Sequence, residues 1–64
     1  MKKFYTLVGS KNGGAMLARG FYDKLSDAKH FAKEYDSAVI YRHLEKNGVR
    51  ISSEAVFRFG DQSA

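Results

Sequence analysis

Two histidines, a scatter of serines, and the arginines and tyrosines are the side chains here whose chemistry reaches beyond packing. A metal site needs three or four converging ligands. His30 and His43 stand on different predicted elements, and the chain has no cysteine, so neither a metal centre nor a disulfide is expected. Ser10, Ser26, Ser52 and Ser53 read as turn, helix-cap and strand residues. No local serine–histidine–acid pattern makes one of them a nucleophile. The Gly9–Gly14 stretch, GSKNGG, lacks the spacing of a phosphate-binding loop. It leads into a strand rather than a helix, so it reads as a hairpin tip. No catalytic residue, cofactor or enzymatic activity is expected.

The basic and aromatic residues carry more. Eleven Lys and Arg stand against seven Asp and Glu, a formal charge of +4. That balance favours acidic partners, either nucleic acid or an acidic protein surface. Tyr5, Tyr41, His43, Arg50 and Arg58 are expected on an open sheet face, with Arg19 and Arg42 near it. A sheet bearing aromatic rings and guanidinium groups can stack and pair single-stranded nucleic acid. No RNP-type signature is present, and the bland account is that such residues keep a sheet soluble.

The elements that position these residues follow from periodicity. Leu25, Ala28, Phe31, Ala32 and Tyr35 recur at helical spacing and form one apolar stripe, so a helix of about ten residues is expected over 25–35. Ser26 is the expected N-cap, and Asp27 suits the positive end of the helix dipole. Phe31, the largest residue on the stripe, is expected under the sheet. Lys29, His30 and Lys33 should point to solvent. On either side the sequence alternates like strand: 2–9, a strand leading up to 21, 38–46 and 49–59. Asn12-Gly13 and Asn47-Gly48 are hairpin signals, because a type I′ turn needs positive φ at both central residues. Two-residue turns would pair Val8 with Leu17, Phe4 with Phe21, Leu44 with Ile51, and Glu45 with Arg50. A bulge at Ser52-Ser53 would relieve Arg42 on an otherwise apolar face.

The expected architecture is α+β: ββαββ, one four-stranded antiparallel sheet in strand order 2-1-3-4 with the single helix on one face. The domain covers 1–60, and 61–64 is a polar tail expected to fray. Sixty-four residues suffice for one small core. No apolar run reaches the ~20 residues that span a bilayer, so no membrane role is expected. Phe4, Val8, Leu17, Phe21, Ile40, Leu44 and Ile51 are the first choice for the covered face. The small residues Ala18 and Gly20 argue for the reverse. Either way the first hairpin has apolar side chains on both faces, which points to a homodimer or a protein partner.

The lysine pair before Phe4–Val8, the hairpin, the Leu-x-x-Ala-x-x-x-Ala helix and Arg42 in the next strand together resemble small phage-encoded inhibitors with a strand-strand-helix-strand core. One such group blocks bacterial RNA polymerase, and certain small anti-CRISPR proteins share the layout. The likeness spans about residues 2–45. It implies a cytoplasmic, non-enzymatic protein that occupies an acidic surface of a host nucleic-acid-handling machine, with Arg42 at the contact and His43 beside it. This chain departs in its long fourth strand and its basic helix. The expected contacts are Tyr41, Arg42, His43, Arg50, Arg58 and Tyr5, and the alternative is direct binding of nucleic acid.

Overall fold

In the computed structural model, which describes residues 1–60, the chain runs β1 (Lys2–Ser10), β2 (Leu17–Tyr22), α1 (Leu25–Ala32), β3 (Ser37–Lys46) and β4 (Val49–Gly60). The four strands form one antiparallel sheet in the order β2-β1-β3-β4, with α1 packed across one face. This is the expected α+β fold. The tail expected at 61–64 lies outside the described residues. Among the described residues no helix is long and apolar enough to cross a membrane.

The cross-strand register sorts every strand residue onto one of two faces. On the covered face, Tyr22–Tyr5–Arg42–Glu54 form one row, Gly20–Leu7–Ile40–Phe57 the next, and Leu17–Gly9–Ala38–Phe59 the third. Leu7 and Ile40 are fully buried beneath Ala28 and Ala32 of the helix. Alanines bring the helix axis close to the sheet, and Gly9 admits the Tyr35 ring, which a Cβ at that position would meet at 2.9 Å. The first-choice face assignment is therefore reversed for Phe4, Val8 and Phe21, while Leu17, Ile40 and Leu44 keep it. Tyr5 and Leu7, not Phe4 and Val8, lie under the helix. Phe4 opposes His43, so Phe4 and Ile40 point to opposite faces of the sheet.

Both hairpin turns form with the expected backbone: Asn12 and Gly13 have φ of 57° and 74°, Asn47 and Gly48 of 54° and 79°. The second hairpin keeps its two-residue register at Lys46–Val49 and Glu45–Arg50. The first does not. Its loop leans toward the start of β3, where the Asn12 N–H donates to the Asp36 carboxylate at 2.6 Å and the Ser37 hydroxyl reaches the Met16 sulfur at 3.6 Å. Pairing resumes only at Leu17, opposite Gly9, and Val8 faces Ala18 instead of Leu17. Leu44 faces Ser52 instead of Ile51, because an extra residue enters β4 between Arg50 and Ser52. A second enters at Val56 and a third at Arg19 of β2. The expected bulge at Ser52-Ser53 is thus displaced. All three irregularities sit on the two edge strands, where a bulge discourages pairing with another chain.

The helix is shorter than its stripe. Lys24 is the N-cap, with no side-chain cap, and the Ala28 N–H donates to its carbonyl at 3.3 Å. Starting there puts Leu25 inside the helix and against the core, which leaves Ser26 within the first turn. After Ala32 the chain tightens: the Glu34 and Tyr35 N–H groups donate to Phe31 and Ala32, and Asp36 N–H ties the segment to Ser10 at 2.9 Å. Phe31 is 41% exposed rather than buried. It stacks on Tyr22 at the rim, with centroids 5.5 Å apart.

Candidate binding face on the open side of the sheet

With one helix on a four-stranded sheet, the opposite face has no layer above it. Its rows are Lys2–Glu45–Arg50, Phe4–His43–Ser53, Phe21–Thr6–Tyr41–Ala55, Ala18–Val8–Val39–Arg58, and Ser10–Ser37. Strand alternation alone puts these side chains together, since successive residues point to opposite faces. Four of the six expected contact residues stand here: Tyr41, His43, Arg50 and Arg58. The other two do not. Tyr5 is buried under the helix, and Arg42 lies on the covered face, where it pairs with Glu54.

His43 organises the middle of the face. Its Nε2 lies 2.8 Å from the Thr6 hydroxyl on β1, and its Nδ1 lies 2.7 Å from the Ser53 hydroxyl on β4. A neutral imidazole offers one donor and one acceptor, and hydroxyls can serve as either, so both nitrogens are satisfied in either tautomer. Phe4 stacks on the ring at 5.0 Å with planes 23° apart. Burial holds the imidazole below its ordinary pKa of 6.5; the positive charge of Arg50 pushes the same way, against an opposing pull from Glu45. His43 is therefore a buried group that ties three strands and one ring together.

The exposed groups surround it. Phe21 tilts against Phe4 with centroids 6.3 Å apart and is 74% exposed. Tyr41 stands 6.5 Å from His43 on the other side. The Arg50 guanidinium lies over the Phe4 ring at 5.6 Å, a cation–π contact that orients its charge on the face. Lys2 and Arg58 add two further cations, and Glu45 is the one carboxylate in these rows. Among the described residues the one ion pair is Arg42–Glu54, so the face keeps an excess of positive charge. Beside it, Lys2, Phe4, Phe21, Tyr22, Asp23 and Glu45 line a hollow of about 270 Å³. No group of three or more His, Cys, Asp or Glu among the described residues is arranged to hold a metal.

The face thus offers aromatic rings for stacking and cations for phosphate or carboxylate groups. Glu45 was expected opposite Arg50 on the solvated face, but sequence reasoning missed Lys2 and put Phe4 and Phe21 under the helix as its first choice. The signal for the two rings was the pair of glycines, Gly9 and Gly20: small residues mark where the helix sits, and Phe4 and Phe21 have the opposite parity. No family model, no curated protein and no solved structure matches this chain.

Proposed function

We propose that this chain is a non-enzymatic binding protein whose open sheet face takes single-stranded nucleic acid. One observation carries the reading: a single face gathers Phe21, Phe4 and Tyr41 with Lys2, Arg50 and Arg58, against Glu45 as its one anion. Bases stack on exposed rings and guanidinium planes, while cations alongside hold the phosphates. Four strands span about 14 Å, at ~4.8 Å between neighbours, enough for two or three unstacked nucleotides. Duplex DNA hides its base faces and gains only the charge contribution.

The exposed apolar side chains Met16, Leu17, Phe21, Val49 and Ile51 favour a second reading. In it the protein occupies an acidic surface of a host nucleic-acid-handling machine such as RNA polymerase or a CRISPR complex, alone or as a homodimer. The Arg42 contact that the phage-inhibitor resemblance implies has less support, since Glu54 engages Arg42 on the far side of the sheet.

Anisotropy titrations with short single-stranded DNA, single-stranded RNA and the matching duplexes separate the two. The first reading expects the single strands to bind more tightly than duplex, with affinity falling as salt rises. Phe21→Ala should weaken binding by roughly 1–3 kcal/mol, the usual worth of one base–aromatic stack. Absence of single-strand binding at physiological salt, together with capture of a host protein that survives nuclease treatment, would reverse the order of the readings.

A further inference from the structure

We propose that the hollow beside Phe4 and Phe21 is a guanine subsite, in which the Glu45 carboxylate reads the Watson–Crick edge of a base stacked on Phe21. This rests on the nucleic-acid reading of the face and adds a base preference to it.

The hollow combines three features. Its volume, about 270 Å³, lies just under the range of drug-sized sites and suits one base with part of its sugar. Phe21 is the most exposed ring on the sheet and makes only a tilted contact with Phe4, so a base can lie against it. Glu45 lines the same hollow, is half-buried, and is not engaged by the flanking Lys2 or Arg50 in an ion pair. Arg50 leans over Phe4 instead. The carboxylate therefore keeps its acceptor oxygens for a ligand, while Lys2 at the rim supplies a cation for a phosphate.

Base chemistry then selects. An ionised carboxylate only accepts hydrogen bonds, and its two oxygens lie side by side. It therefore fits an edge with two adjacent donors and no acceptor between them. Guanine presents N1–H beside its N2 amino group. Adenine and cytosine present an amino donor beside a ring-nitrogen acceptor, and thymine or uracil presents one imino donor between two carbonyls. Each of those sets a lone pair against Glu45. Asp23 also lines the hollow, so a cationic side chain from a protein would fit its two carboxylates as well; the cations Lys2, Arg50 and Arg58 on the face around it favour a polyanion instead.

The test uses the full chain and thymine oligonucleotides carrying one central guanine, inosine, adenine or cytosine, read by anisotropy. Guanine should bind about tenfold more tightly than adenine or cytosine, the discrimination expected of a bidentate contact. Inosine keeps N1–H but lacks the amino group, and should fall between. Glu45→Gln replaces one acceptor by a donor at nearly constant shape. It should abolish the guanine preference while raising affinity for all-thymine strands, because it removes a negative charge from the face. Equal binding of all four strands, or a preference that survives Glu45→Gln, overturns the subsite and leaves the face reading intact. Absence of binding by every strand overturns both.

Discussion

Replacing Gly9 by alanine probes a close contact between the sheet and Tyr35, which follows the helix. A Cβ at Gly9 would stand 2.9 Å from Cγ, 3.0 Å from Cδ2 and 3.3 Å from Cβ of Tyr35. The ring cannot simply swing away. Tyr35 is tied by its N–H to Ala32, the next residue is tied to Ser10, and Arg19 lies over the ring at 5.6 Å. Overpacking of this kind costs about 1–3 kcal/mol. Against it stands a gain of about 0.4–1 kcal/mol from the reduced freedom of the unfolded chain. The net expectation is a loss of roughly 1–2 kcal/mol, a large part of the few kcal/mol that hold a domain of this size. Urea titration of the wild type, Gly9→Ala, Tyr35→Ala and the double variant reads it directly. With Tyr35 truncated, the added methyl should be neutral or stabilising, a coupling of about 1–3 kcal/mol between the sites. A Gly9→Ala chain as stable as the wild type, or additive effects in the double variant, would refute the close packing of Tyr35 on the sheet.

Leu7→Ala removes a fully buried side chain and should cost about 2–5 kcal/mol, whereas Phe31→Ala removes a half-exposed ring stacked on Tyr22 and should cost about 1–2 kcal/mol, with denaturant midpoints giving the order. His43 has a folded pKa below its unfolded value near 6.5, so the folded chain binds fewer protons than the unfolded one. Its contribution is full above about pH 6.5 and is lost as pH falls from there through the folded value; urea midpoints taken from pH 7.5 down to 5 should drop in the wild type and flatten over that window in His43→Gln.

Element order, the single helix, both Asn-Gly turns and the sheet order were legible in the sequence, because each has a local signature. The covered face was not, and the cause lies in the first hairpin. Phe4–Val8 is apolar at every position except Thr6, so periodicity there gives no parity, and the deciding fact is the long-range pairing of Phe4 with His43. Register beyond the turns failed for a related reason. Bulges at Arg19, Ile51 and Val56 carry no strong residue signal, and each reassigns every pair beyond it. Tyr41, His43, Arg50 and Arg58 were expected together and do share the open face, because Tyr41 and His43 have one parity in β3 and the two bulges of β4 cancel between Arg50 and Arg58. Tyr5 was misplaced because only the hairpin-to-hairpin pairing settles the parity of the first strand, whereas Arg42 was expected on the apolar face, where it lies, and was named a contact through the phage-inhibitor resemblance.

The most direct test of the binding face is the salt dependence of single-strand affinity in three variants. Arg50→Gln and Arg58→Gln each remove a cation from the open face, while Arg42→Gln removes one from the covered face, where it engages Glu54. Each phosphate contact on a single strand contributes about 0.7 to the slope of log affinity against log salt. The open-face reading predicts that the slope falls by about 0.7 in Arg50→Gln and again in Arg58→Gln, and is unchanged in Arg42→Gln. Equal slopes in all three variants, or a fall confined to Arg42→Gln, would contradict it.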